Sequence, residues 1–189
     1  MLDKIDEKYD PRRFLDVFVV KVNPDKVTVL ALIAAIIAGY FFYSGEIVLA
    51  AVFVLLNGFL DILDGRIAKK YGTSKFGDFL DHTFDRLADA AILIGLALSE
   101  FVPVELGFSA LVALLLVSYL GTQAHALTHK RVYSGIVGRA DRLVIVSIAA
   151  ILNIFYDKAL YYGVWIILIL SIFTFIQRFL ICKKTIKSS

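Results

Sequence analysis

Five aspartates, Asp61, Asp64, Asp78, Asp81 and Asp85, lie within a short stretch of a chain that is 59% hydrophobic. Asp61 and Asp64 are three residues apart. On a helix that spacing rises about 4.5 Å and leaves both side chains on one face. Asp81 and Asp85 are four apart and share a face about 6 Å along the axis. Asp78 and Asp89 extend that stripe. Carboxylates that converge at membrane depth do not all stay ionised without a compensating charge, because each costs about 2.5–3.5 kcal/mol at the centre of a spanning helix. Three arrangements relieve the cost: protonation, pairing with Arg66, Lys69 or Arg86, or binding of divalent cations. Oxygen ligands without His or Cys favour a hard ion, Mg²⁺ or Mn²⁺, with Ca²⁺ also able to occupy the site. Carboxylates this dense suit two ions better than one. Two ions suit displacement at phosphorus, where the attacking and leaving oxygens both need charge neutralised.

The residues around the acids favour a phosphate ligand. Gly65 follows Asp64, and Ala68 comes one turn later. Small residues there let a bulky group approach the helix backbone. Gly77 does the same near the start of the next helix. Lys69 and Lys75 are placed to neutralise a diphosphate as point charges. A second polar stretch runs from Tyr119 to Arg142. One helix ends in Thr122, Gln123 and His125, a basic loop carries His129, Lys130 and Arg131, and the next helix opens with Arg139, Asp141 and Arg142. Arg139 and Arg142 share a helical face. Two guanidinium groups at a helix start, beside its unpaired N–H groups, make a good phosphate site. The acceptor expected from Lys130, Arg131, Arg139 and Arg142 is therefore an alcohol that itself bears a phosphate. Binding of anionic lipid headgroups is the alternative reading of these bases.

These residues must be held by membrane helices. The chain has 189 residues and one cysteine, Cys182, so no disulfide forms within it. Its mean hydropathy is +0.79, and soluble domains are typically only about 45–50% apolar. The expected fold is all-α, a polytopic membrane protein with six transmembrane helices. Their expected spans are 27–45, 46–69, 79–99, 106–128, 139–156 and 159–181, each near the roughly 20 residues that a bilayer requires. Residues 1–22 are expected to form an interfacial amphipathic segment, with Asp10-Pro11 as cap and first helical position. The charged N-terminus lacks the apolar core of a signal peptide. Residues 23–189 then form one membrane domain.

Lys21, Lys26, Lys69, Lys70, Lys75, Lys130, Arg131, Lys183, Lys184 and Lys187 fall on one side of this topology, whereas the opposite loops carry Glu46, Glu100, Glu105 and Asp157 with Lys158 the lone base. The positive-inside rule puts both termini and the acidic stretch on the cytoplasmic side of the cell membrane. The net charge of +3 is small, and no nucleic-acid partner is expected.

The acidic stretch resembles the signature of the CDP-alcohol phosphatidyltransferase family, D-x2-D-G-x2-A-R followed by G-x3-D-x3-D. It reads here Asp61-x2-Asp64-Gly65-x2-Ala68-Lys69, then Gly77-x3-Asp81-x3-Asp85. Lys69 replaces the usual arginine, which removes a bidentate phosphate contact. The spacer to Gly77 is seven residues, one shorter than usual. Pro24-Asp25-x-Val27-Thr28 is similar to the opening of the first helix in the family, near the bound nucleotide.

The resemblance implies a membrane transferase of phospholipid biosynthesis. In it Asp61, Asp64, Asp81 and Asp85 hold two divalent ions, Asp85 is the catalytic base, and Asp25, Thr28, Asp61, Gly65, Ala68, Lys69, Lys75 and Gly77 bind the CDP-lipid. The acceptor hydroxyl would attack the β-phosphorus and CMP would leave. The Gly-Thr-Gln-Ala run containing Thr122 and Gln123, the Gly-Arg-Ala-Asp-Arg start at 138–142 and Asp85-Arg86-x-x-Asp89 resemble the branch that uses inositol phosphate. This adds Thr122, Gln123 and Asp89 as acceptor contacts. It implies an archaetidyl or phosphatidyl group passing to L-myo-inositol 1-phosphate, in a homodimer among membrane lipids. Glycerol-3-phosphate is the alternative acceptor. A cation-coupled transporter is the alternative from another class, and would carry its acids nearer midplane.

Overall fold

The computed structural model describes residues 19, 22–72, 74–128 and 137–187. Apart from Val19 and Val22, the amphipathic segment expected over 1–22 lies outside the described residues, as do Lys130 and Arg131. Six helices and no strand are found among the described residues: α1 (Pro24–Tyr43), α2 (Ile47–Tyr71), α3 (Lys75–Ala97), α4 (Val104–Thr128), α5 (Arg139–Asn153) and α6 (Ala159–Lys187). Four of them, α1, α2, α4 and α6, are long and apolar enough to cross a membrane. The other two fall short for identifiable reasons. The first half of α3 is charged, and α5 has 15 residues, about 22 Å of helix against a hydrocarbon core of about 30 Å.

Local chemistry sets the boundaries. Asn23 caps α1 by accepting the Asp25 N–H at 2.9 Å, and Pro24 takes the first turn, where its missing N–H costs nothing. Gly45, at φ 83°, makes the turn into α2, a conformation that side chains with a Cβ resist. α3 begins at Lys75, a turn before the expected Phe79, because Ser74 Oγ accepts the Gly77 N–H at 2.8 Å. α5 stops at Asn153 rather than Tyr156, and the Asn153 side chain accepts the Leu160 N–H at 2.9 Å to tie the turn to α6.

The bundle is built on close helix contacts. α1 packs on α2 and α3, α4 packs on α3 and α6, and α5 bridges α2 and α6. A Cβ at Gly95 would collide with the Gly39 backbone, and one at Gly39 would collide with the Ala91 carbonyl. Small residues at such crossings replace the hydrophobic drive that lipid cannot supply. The core runs from Phe42 and Val54 through Leu96 and Leu114 to Ile167. Leu30, Ile36, Val52, Val112, Ile166 and Phe173 point outward and are exposed, the arrangement suited to lipid rather than water.

Candidate active site

The two halves of the acidic stretch meet. Asp61 and Asp64 sit in the second half of α2, and Asp81 and Asp85 in the first half of α3. α2 and α3 follow one another across Gly72, but each packs on α1 rather than along the other, so the neighbour packing expected from the short connection is not found among the described residues; their acidic faces meet at the end they share. One carboxylate oxygen each of Asp61, Asp64 and Asp81 lies within 4.8 Å of the others. Asp64 is 3% exposed, and its Oδ2 is buried with no hydrogen-bond partner. A buried ionic oxygen without a partner is costly. An all-carboxylate set with such an orphaned atom fits a hard divalent cation. The residues α2 and α3 bring together could hold one, with Asp85 completing a second group that includes Asp81 and His82.

The start of α1 closes one side. Thr28 is buried and lies against Asp64. The Asp25 carboxylate reaches the start of α3, where a Cβ on Gly77 would stand 2.8 Å from Asp25 Oδ1. Gly77 thus admits another side chain as well as freeing its own helix face. Gly65 is exposed, and a Cβ there would meet nothing within 4 Å. Open space beside Asp64 is what a diphosphate needs to approach the backbone. Lys69 and Lys75 are exposed at the same end, and Ala68 is half-buried behind them.

α5 closes the other side. Gly138 donates its N–H to Asp141 Oδ2 at 2.9 Å, half of a capping box that fixes where the helix starts. Arg139 then enters the acidic cluster. Its Nη1 pairs with Asp61 and stands 2.9 Å from Asp85 Oδ1, while its Nε stands 3.4 Å from Asp89 Oδ1. Arg142 is buried and donates from Nη2 to Asp89 Oδ2 at 3.0 Å. The two arginines share a face as the spacing requires, but both are turned onto carboxylates. Arg86 Nη1 stands 3.6 Å from Asp85 Oδ2.

Not every expected site residue joins this group. Thr122 and Gln123 are exposed near the end of α4 and bond within their own helix: Thr122 Oγ1 donates to the Tyr119 carbonyl at 2.9 Å, and Gln123 Nε2 to Tyr119 Oη at 2.9 Å. Other residues enter unannounced by the sequence. His82 lies 3.4 Å from Asp81 Oδ2 and 3.7 Å from Asp78 Oδ1, so the acidic stretch is not free of nitrogen donors. Its i+4 spacing from Asp78 was the available signal. Asn57 is fully buried one turn above Asp61 and donates to the Ala31 carbonyl at 2.8 Å, fastening α2 to α1.

A family model described as CDP-alcohol phosphatidyltransferase matches residues 21–185. The chain is 37% identical over 167 residues to archaetidylinositol phosphate synthase of Pyrococcus horikoshii, covering 88% of this chain and 86% of that one. The crystal structure of Mycobacterium tuberculosis phosphatidylinositol phosphate synthase with CDP-DAG bound is similar, with TM-score 0.76, 28% identity and 90% of each chain covered. The same enzyme in complex with manganese and citrate gives TM-score 0.77 at 29% identity, covering 91% of this chain and 86% of that one.

Proposed function

The chain belongs to the CDP-alcohol phosphatidyltransferase family, and from that membership we propose the reaction it runs. The protein is a membrane phosphotransferase of phospholipid biosynthesis. It transfers the archaetidyl or phosphatidyl group of a CDP-lipid to the hydroxyl of L-myo-inositol 1-phosphate. The oxygen–phosphorus bond to the acceptor forms at the β-phosphorus, the bond to CMP breaks, and CMP leaves. The observation that carries this reading is the convergence of Asp61, Asp64 and Asp81 around an unpartnered Asp64 oxygen, beside the open face at Gly65.

Asp61, Asp64, Asp81 and Asp85 would hold two divalent ions, Mg²⁺ or Mn²⁺. When bound, these would neutralise the diphosphate and the charge that develops on the leaving group. Asp85 takes the acceptor's proton. Asp25, Thr28, Gly65, Ala68, Lys69, Lys75 and Gly77 line the CDP-lipid side. Arg139 and Arg142, with Lys130 and Arg131, attract the acceptor's phosphate. The relatives named for inositol phosphate products favour this acceptor over glycerol-3-phosphate.

Residues 23–189 form the membrane domain, in which α3 and α5 complete six spans and 1–22 lies at the interface. Both termini and the active site face the cytoplasm, supported by the lysines near the ends of α2 and α6. The chain works as a homodimer. The test is CMP release from purified protein, with CDP-archaeol and CDP-diacylglycerol each offered inositol 1-phosphate, inositol and glycerol-3-phosphate. Inositol 1-phosphate is expected to be fastest by about tenfold or more, and equal rates with glycerol-3-phosphate would remove the preference.

A further inference from the structure

Arg139 stands where its proposed partner does not. A residue assigned to the acceptor's phosphate is found with its guanidinium among Asp61, Asp85 and Asp89. It therefore supplies positive charge to these carboxylates. It also covers Asp85 Oδ1 at 2.9 Å, an oxygen of the group that must accept a proton. The Nε and Nη1 groups that face the acids are not available to a phosphate in this arrangement.

Three features make the arrangement reversible. Arg139 holds Asp85 and Asp89 as ion pairs at 2.9 and 3.4 Å, whereas Arg142 Nη2 donates a hydrogen bond to Asp89 at 3.0 Å. The two guanidinium groups take different oxygens of Asp89. Departure of Arg139 therefore leaves Asp89 paired with Arg142 and strands no buried charge. Finally, Asp61 belongs both to the three-carboxylate cluster and to the Arg139 ion pairs. A cation bound there and the guanidinium compete for the same carboxylate.

We propose that Arg139 is a tethered counterion that holds the acidic site closed until divalent cations displace it, which uncovers Asp85 and frees the guanidinium for the acceptor's phosphate. Metal loading then precedes productive acceptor binding. This rests on the metal reading of Asp61, Asp64 and Asp81 given above.

The test measures binding rather than turnover. Full-length protein stripped with EDTA is titrated with Mn²⁺, and free Mn²⁺ is read by electron paramagnetic resonance. Arg139→Gln removes the competitor and is expected to bind Mn²⁺ at least about tenfold tighter than the wild type. Equal or weaker affinity in the variant overturns the proposal while leaving the metal reading intact. No Mn²⁺ binding by either protein overturns both.

A second measurement needs no substitution. Phenylglyoxal labelling of the wild type, mapped by mass spectrometry without substrates, is expected to rise at Arg139 when Mn²⁺ is added and to stay low at Arg142. Labelling of Arg139 that Mn²⁺ leaves unchanged overturns the release step.

Discussion

Replacing Asp64 by Asn separates a metal ligand from a structural acid by the sign of its effect. Asparagine keeps the size and removes the charge. Asp64 is 3% exposed and has carboxylate neighbours in Asp61 and Asp81, with the closest set of oxygens within 4.8 Å. At an effective dielectric of about 20, each like-charged pair at that distance repels by about 3.5 kcal/mol. Partial exposure of Asp61 and Asp81 and relaxation reduce this to a net gain of about 1–2 kcal/mol on removing the charge. For a chain of this length that is about 2–8 °C in Tm. Without metal, Asp64→Asn is thus expected to melt higher than the wild type.

With Mn²⁺ at about a hundred times its Kd, the order reverses. The wild type gains about 2.7 kcal/mol by mass action, and the variant gains little. The assay is thermal unfolding in detergent, with EDTA and with Mn²⁺ for each protein. A variant that melts lower in EDTA, or that gains as much from Mn²⁺ as the wild type, would refute the reasoning. Either result would mark Asp64 as a hydrogen-bonded packing residue.

Two glycines give opposite predictions. Gly65→Val faces open space on a helix, so stability is expected to change by less than about 1 kcal/mol, while KM for the CDP-lipid in a CMP-release assay rises by about tenfold or more. Gly95→Leu drives a side chain into the Gly39 backbone and is expected to cost more than about 3 kcal/mol. Size-exclusion chromatography should then find little monodisperse protein.

The helices were legible in the sequence because hydropathy and caps are local. The observed helices start within about four residues of the expected spans and end within about six, and Ser74 accounts for the early start of α3. Each acidic pair was legible because a short helical spacing places its side chains together whatever the fold does elsewhere, though the meeting of the two pairs across α2 and α3 is not written in that spacing. Arg139 was visible as a helix-start cation, yet its partners were not. Asp61, Asp85 and Asp89 lie on two other helices, and no spacing within a segment encodes a meeting across segments. The contact of Asp25 with Gly77 and the Gly39–Gly95 crossing were hidden for the same reason. His82 stands among carboxylates whose density alone signals oxygen ligands, which hides the imidazole 3.4 Å from Asp81.

The ion pairs between α3 and α5 have a consequence in time. Asp89 and Arg142 are 53 residues apart, and ribosomes add about 5–20 residues per second. The α2–α3 segment therefore exists for about 3–10 s before the arginines that neutralise it have been made. Throughout that interval Asp61, Asp64, Asp81, Asp85 and Asp89 have only the segment's own bases, Arg66, Lys69, Lys70, Lys75, His82 and Arg86, to draw on. Each acid carried to the bilayer centre in that state costs about 2.5–3.5 kcal/mol. The order of synthesis therefore favours a nascent α2–α3 segment held at the membrane surface, with the emergence of α5 as the event that seats it.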